Sequence, residues 1–402
     1  MKTKISNRNL NKAGQAKKDE FYTQLTDIEK ELKHYKSQFR GKVVYCNCDD
    51  PYESNFFRYF VLNFKKLGLK QLITTSYKPS PVANTQLQLF GDDIALPKSK
   101  GRPKITANKF AINEVHDING DGEFNLKAVA KQLKANKNNE WMPLKGGGDF
   151  RSDECVNLLK QSDIVVTNPP FSLYREYVKQ LFDHNKKFVI IGNKNSVTYK
   201  EIFPLIKENR MWSGKTGWGG GLWFVTMDDT DVDRVINGVN MKNVSSVWFT
   251  NLDHGRRHQP LPLMTMKENL KHSKHKELKG KKRYVKYDNY DAIEVPFTDA
   301  IPSDYDGVMG VPISFLDKYN PDQFEILGAT QRGCHDKVPD TKQYDDYWEV
   351  KPNGQKTGSS GGKTNENANL VGNDGKKNYF INKKGRIIQS AYQRIFIKHK
   401  RK

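Results

Sequence analysis

DIVVTNPPFSLYREYVKQLFDHNKKFVIIGN, residues 163–193, contains a complete strand–turn–helix–strand unit. The run DIVVTN (163–168) is apolar and β-branched, as a buried strand requires, and KFVIIGN (187–193) repeats that signature. Between them SLYREYVKQLFDHN carries apolar residues at helical spacing. Such a unit makes a right-handed crossover, and therefore a parallel pair of strands. The join between the first strand and the helix is unusual. Pro169 and Pro170 each remove a backbone donor and fix φ, so neither strand nor helix continues through them. The turn is stiff and leaves an amide, Asn168, and a ring, Phe171, at a strand's carboxyl end. Open α/β sheets bind their ligands at that edge.

Outward from this unit the pattern repeats. KVVYCN (42–47) and LKQLITTSY (69–77) read as strands, and SNFFRYFVLNFKKLG (54–68) as a helix stopped by a glycine. DECVNLLKQ (153–161) and SVTYKEIFPLIKEN (196–209) read as further helices. Strands alternating with helices predict an α/β fold with a mostly parallel sheet covered on both faces. GLWFVT (221–226) and SSVWFTNL (245–252) have no clear crossover helix and are expected as antiparallel strands closing that sheet. Residues 78–145 form a long insertion. Residues 352–377 are rich in Gly, Asn, Ser and Lys and are expected as a flexible loop. KNYFINKKGRIIQSAYQRIFIKHK (377–400) reads as a β-hairpin turning near Gly385. No internal repeat is present.

Composition narrows the function classes. Of 402 residues 36% are hydrophobic and 11% aromatic, enough for a real core, although the mean hydropathy of −0.79 marks a polar surface. No run of about 20 apolar residues exists, so no membrane association is expected. The first twenty residues lack the apolar stretch of a secretion signal, and residues 1–17 read as a basic flexible arm. The four cysteines fit neither a zinc pattern nor a disulfide framework, which predicts a reduced, intracellular, metal-free protein. The net charge of +21 is spread along the chain among acids and aromatics, and points to a polyanion partner, most simply nucleic acid.

The proline turn suits one chemistry. The lone pair of an exocyclic amino group such as adenine N6 is conjugated with the ring and poorly nucleophilic. Two fixed acceptors on its hydrogens draw the nitrogen toward tetrahedral geometry. The side-chain oxygen of Asn168 and the carbonyl of Pro169 are candidates, held rigid by Pro169 and Pro170. Phe171 offers a face for a planar base. Upstream, GGGDF (146–150) supplies Asp149 and Phe150, one suited to the edge of an adenosyl ring and one to its face. Asp49 and Asp50 stand where the first strand meets its helix, where amides and carboxylates can hold a cofactor's polar groups.

These segments, with DEFYTQLTDIEKELKHY, YCNCDDPYESNFFRYF, WFTNLDHGRR and DGVMGVPISFLDKYNPDQFEILG, resemble the EcoRI-type adenine-specific DNA methyltransferase family from about residue 18 to 328. The resemblance implies a class I, Rossmann-like methyltransferase fold, S-adenosyl-L-methionine as donor and a flipped adenine in double-stranded DNA as target. It further implies a bacterial or phage-encoded cytoplasmic monomer. Such an enzyme either has a restriction endonuclease acting on the same site without a stable complex, or is solitary. By position, Tyr22 and Thr23 match the N-terminal cofactor motif, Asp49, Asp50 and Ser54 the first-strand turn, and Asp149 with Phe150 the cofactor-adenine position. Asn168, Pro169, Pro170 and Phe171 match the catalytic turn. The glycine-rich turn common in methyltransferases is absent from CDDPYESN, where Asn55 can adopt the left-handed conformation instead. The second strand ends in Thr74, Thr75 and Ser76 with no acid to bind a ribose. Trp248 or Phe249 could add a second stacking face or belong to the core.

The catalytic domain is therefore expected over 18–252 and a C-terminal DNA-recognition region over 253–402. Residues 254–287 concentrate bases that suit phosphates, and Arg256 and Arg257 are candidate base readers or surface ion-pair partners. KSKGRPKIT (98–106) resembles a minor-groove hook but equally a basic loop. DINGDGEFNLKA (117–128) resembles a calcium loop but has Ala128 where a bidentate acid belongs, so a turn before a helix is favoured. Two other activities share parts of this signature: methylation of RNA guanine or protein glutamine, and non-catalytic DNA binding on a methyltransferase fold.

Overall fold

The computed structural model describes residues 22–48, 54–76, 107–115, 138–226, 230–330, 338 and 341–400. The chain divides into two compact units, residues 1–194 with 213–254, and residues 195–212 with 255–402. Among the described residues no helix is long and apolar enough to cross a membrane, and no three His, Cys, Asp or Glu side chains are grouped to hold a metal ion.

The first strands in chain order are β1 (Tyr22–Thr23), β2 (Val43–Cys46), β3 (Gln71–Thr75), β4 (Asn108–Ile112), β5 (Glu140–Pro143) and β6 (Ile164–Thr167). They are followed by β7 (Lys187–Asn193), β8 (Trp212–Ser213), β9 (Leu222–Val225), β10 (Arg234–Ile236), β11 (Val239–Val244) and β12 (Ser246–Thr250). The main sheet has the order β5-β4-β3-β2-β6-β7-β12-β8. β3, β2, β6 and β7 run parallel, and β12 lies antiparallel to β7 with Ser246 opposite Asn193. Because β3 lies on one side of β2 and β6 on the other, the strand order reverses between β2 and β6. A crevice opens beyond the carboxyl ends of strands at such a point.

Both faces of this sheet are covered. Val44, Cys46, Leu72, Ile164, Val166, Val189, Ile191 and Trp248 join Ile28, Leu32, Phe56 and Phe60 in one core cluster. The alternating residues Tyr45, Ile73, Val165, Ile190 and Phe249 are buried as well. That two-sided burial is why these strands are uninterrupted apolar runs.

Several elements differ from expectation. GLWFVT does not close the main sheet: β9 pairs with β1 and β11 in a separate sheet of order β1-β9-β11-β10. Gly221, at φ +93 just before β9, lies so close to the Val244 carbonyl that a Cβ there would be 2.5 Å from its oxygen, where β9 and β11 pair through Leu222 and Val244. The closing role falls to β12 and the two-residue β8. The insertion 78–145 contributes β4 and β5, antiparallel strands that extend the sheet beyond β3. The two motifs within it, 98–106 and 117–128, lie outside the described residues. Over 196–209 only Phe203–Lys207 is α-helical, because Pro204 favours the first turn of a helix rather than its interior. The helix from Asn55 pauses at Asn63 and stops at Gly68, φ +63, as its glycine predicted.

The second unit contains β13 (Ala292–Glu294), β14 (Val308–Pro312), β15 (Phe324–Ala329), β16 (Tyr347–Val350), β17 (Lys356–Ser360), β18 (Asn369–Val371), β19 (Tyr379–Asn382), β20 (Ile387–Ser390) and β21 (Arg394–His399). They form sheets of order β13-β14-β21-β15 and β17-β16-β19-β20-β18. The segment expected as a flexible loop, 352–377, therefore holds β17, a 3-10 turn and β18. Much of its order comes from a partner distant in sequence: Asn369 is fully buried and its backbone nitrogen donates to the Asn289 side chain at 2.9 Å, while within the segment its side chain donates to the Thr364 carbonyl at 2.7 Å. The C-terminal hairpin turns at Gly385, φ +77, as expected, but it comprises only β19 and β20; the end of the segment, β21, pairs with β14 and β15 in the other sheet.

Candidate active site

The ends of β2 and β6 are tied together. Asn47, the residue after β2, is almost fully buried; its backbone carbonyl accepts from the Thr167 hydroxyl and its side-chain oxygen accepts from the Tyr177 hydroxyl. Burial pushes the Tyr177 phenol well above its usual range, so it remains a donor. Cys48 then takes φ +62. Among the described residues of this glycine-free turn the left-handed one is Cys48 and not Asn55. Asn55 instead starts a helix, and its side-chain amide donates to the Thr23 carbonyl at 2.7 Å. Ser54 caps that helix, its hydroxyl accepting from Phe56 N and Phe57 N at 3.1 Å each. Thr23 and Ser54, far apart in sequence, are so brought to one strand end. Asp49, Asp50 and the side chain of Tyr22 lie outside the described residues.

One strand over, Asn168 follows β6 directly and is half-buried, and Pro169 is buried. Pro170, at φ −60 and ψ 124, leads into a 3-10 turn over Phe171–Leu173, closed by Leu173 N donating to the Pro170 carbonyl at 3.0 Å. The helix Tyr174–Asp183 begins there. Phe171 is half-buried and packs against the core cluster.

The GGGDF loop is pinned to the same edge. Gly148 has φ +76, and a Cβ there would collide with the Ser76 carbonyl and lie 2.9 Å from Ala107 Cβ. Only glycine allows this backbone to approach the end of β3. Asp149 follows, with its side chain 31% exposed. It accepts from Arg151 Nε at 2.9 Å and Nη2 at 2.7 Å, and these hydrogen bonds hold its carboxyl below the usual carboxylate range. At nearly half exposure of the arginine the pair is screened, and a carboxylate keeps spare lone pairs for another donor. Phe150 is 4% exposed, its ring edge-on to Tyr177 at 5.1 Å. Gly148→Ala is expected to displace Asp149 and, on the cofactor role that the family resemblance implies for that residue, to raise the KM for the methyl donor at least about tenfold, while DNA affinity stays within about threefold. Steady-state kinetics with each substrate varied decides it, and an unchanged donor KM refutes it.

The four residues that were candidates for nucleic-acid contact are engaged within the fold. Trp248 and Phe249, 2% and 0% exposed, sit in the core because β12 lies within a sheet covered on both sides. Phe56 meets Trp248 edge-on at 5.9 Å, and Tyr174 lies 6.0 Å from Phe249. Arg256 is held bidentately by Asp317 at 3.0 and 2.7 Å. Arg257 is 8% exposed, stacks 3.5 Å from the centroid of Trp212 and donates to the Asn209 side chain. Neither guanidinium presents a free fork. Conversely, Asn47, Tyr177 and Gly148 were not singled out from the sequence. An amide directly after the first strand and three successive glycines before Asp149 were the available signals.

Nearly the whole chain, residues 9–400, matches the family model described as adenine-specific methyltransferase EcoRI. The chain is 44% identical over 338 residues to the type II methyltransferase M.EcoRI of Escherichia coli, covering 81% of this chain and 90% of that one. It is 37% identical over 325 residues to the type II methyltransferase M.MpnI of Mycoplasma pneumoniae, covering 79% and 84% respectively. M.MgeORF184P of Mycoplasma genitalium is 36% identical over 325 residues, covering 79% and 85%. No solved structure matches.

Proposed function

The chain belongs to the EcoRI family of adenine-specific methyltransferases, and from that premise we propose that it methylates adenine N6 at a specific sequence in duplex DNA, with S-adenosyl-L-methionine as donor. The observation that carries this reading is the rigid Asn168–Phe171 turn at the carboxyl end of β6, beside the point where the strand order reverses. The fold is read as class I, Rossmann-like, with DNA recognition in the C-terminal region. The reading is completed by a cytoplasmic monomer in a bacterial or phage-infected cell, either serving beside an endonuclease of the same site without a stable complex or acting as a solitary methylase.

The residues at this edge suit the donor. The Asp149 carboxylate can accept from amino or hydroxyl groups of an adenosyl moiety, and the close approach at Gly148 keeps that carboxylate beside the end of β3. Thr23, Ser54 and the turn through Cys48 would form the remainder of the cradle. When bound, the donor supplies an electrophilic methyl carbon on sulfur. Asn168 and Pro169 accept hydrogen bonds from the target amino group, draw its nitrogen out of conjugation and orient its lone pair. The Asn47 bonds to Thr167 and Tyr177 keep the two strand ends from separating and hold the backbone of the turn, while the Asn168 side-chain oxygen, buried in this structure, would have to turn outward to meet the base.

The deciding assay incubates the full chain with labelled donor and, separately, duplex DNA, RNA or candidate proteins, and identifies the methylated atom. N6-methyladenine in DNA is expected. Label confined to RNA or protein would replace this reading, and absence of label would end it. The second unit exposes Lys267, Lys271, Lys279, Lys281, Lys282 and Arg283. DNA affinity is accordingly expected to fall on the order of 100-fold or more from about 50 to 200 mM salt. A salt-independent Kd in a titration would remove phosphate contacts from the account.

A further inference from the structure

GKTGWGGG, residues 214–221, joins β8 to β9, and its ends are clamped while its tip is open. At the start, Lys215 N and Thr216 N donate to the two carboxylate oxygens of Glu31 at 2.6 and 2.8 Å, and the Tyr35 hydroxyl donates to the first of them at 2.7 Å. Glu31 is fully buried, its charge satisfied by these three donors. A Cβ on Gly214 would collide with that carboxylate and lie 2.5 Å from Trp248 Cβ. At the end, Gly221 has φ +93, and a Cβ there would lie 2.5 Å from the Val244 carbonyl oxygen. Between them the Lys194 ammonium donates to the Gly219 carbonyl at 2.6 Å. Yet a Cβ on Gly219 or Gly220 would meet nothing within 4 Å.

Trp218 stands at this open tip. It is half-buried, and its indole nitrogen donates to Ser213 Oγ at 2.7 Å, which fixes the orientation of the ring. Lys194 is the residue directly after β7, so the loop is held at the carboxyl edge of the sheet, one strand from the Asn168 turn. Leu222, just past the loop, and Phe171 pack on the same core cluster. Along the edge, the residues proposed for the cofactor follow β3 and β2, whereas this loop lies on the other side of β6.

We infer that the 214–221 loop grips the target base: Trp218 supplies a planar face, in addition to Phe171, on which the flipped adenine stacks, and Glu31 is the positioning residue that holds the loop. This rests on the proposed methylation of adenine in DNA. The test compares the full-length wild type with Trp218→Ala, Trp218→Phe and Glu31→Gln on adenine-unmethylated genomic DNA, with labelled S-adenosyl-L-methionine and tryptophan fluorescence. Loss of one stacking face should lower kcat/KM for DNA roughly 10–100-fold in Trp218→Ala, with the donor KM within about threefold. Trp218→Phe should keep most activity but lose the DNA-dependent quenching of indole emission. Glu31→Gln leaves one loop amide without its acceptor, and should raise the DNA KM and weaken the quench at an unchanged donor KM. Wild-type activity shared by Trp218→Ala, or a full quench in Trp218→Phe, overturns the loop assignment alone. Equal losses toward both substrates in Glu31→Gln overturn its positioning role. A wild type that methylates no adenine in DNA removes the function and the loop together.

Discussion

Asn168→Ala is expected to lower the single-turnover methylation rate by on the order of 100- to 1,000-fold, the range seen when one preorganised transition-state hydrogen bond is removed. Affinity for S-adenosyl-L-methionine and for DNA should change by no more than about threefold. The reasoning is geometric. Asn168 follows a fully buried strand whose last residue, Thr167, is bonded to the neighbouring strand end at Asn47. The backbone of the turn is held by Pro169, Pro170 and the Leu173–Pro170 hydrogen bond. Truncating the amide therefore removes an acceptor without releasing the turn, and the loss belongs to the chemical step. Rapid-quench measurement at saturating substrates reports that step. Rate and binding falling together would make the amide a structural element, and Asn168→Asp, which keeps an acceptor but alters charge and donors, should fall between the two.

Glu294→Ala is expected to destabilise the second unit by about 3–5 kcal/mol, the usual cost of stranding one member of a buried ion pair. Glu294 on β13 accepts from Arg394 Nε at 3.2 and 3.0 Å and from its Nη2, and also from the Tyr287 hydroxyl. The side chains of the pair are only 10% and 11% exposed. β13 and β21 both flank β14, so this contact ties the C-terminal strand to the opposite edge of the four-stranded sheet. Without the carboxylate a guanidinium remains buried against no counter-charge. At about 2–4 °C per kcal/mol for a unit of this size, the corresponding melting transition should drop by on the order of 10 °C. Calorimetry of the full chain measures it. The double replacement Glu294→Met with Arg394→Met should recover much of the loss, since it removes both charges. A single variant melting with the wild type would show that the pair is solvated after all.

The parallel core was legible because its strands are short, β-branched and apolar, and because Pro169 and Pro170 mark the end of β6 unmistakably. The same local logic located the Gly68 stop and the hairpin at Gly385. It misassigned β9 because an apolar run signals burial without naming the sheet that buries it. It missed β4 and β5 within a polar insertion, where Phe110 and Trp141 stack at 5.7 Å across the pair. It also took 352–377 for a loop, since the partners that order it lie elsewhere in the chain.

For the site, sequence alone determined the identity of the proline turn, the acidic loop before it and the family they indicate, since these are contiguous motifs whose chemistry is written in neighbouring residues. Tertiary structure alone decided that Trp248, Phe249 and Arg257 are interior side chains, that Cys48 makes the left-handed turn, and that Glu31 holds a loop 184 residues away. Burial, pairing and backbone strain arise from contacts between distant segments. A hydrophobic or basic residue carries the same letter whether it faces a core, an ion-pair partner or a ligand, and only folding assigns it one of them.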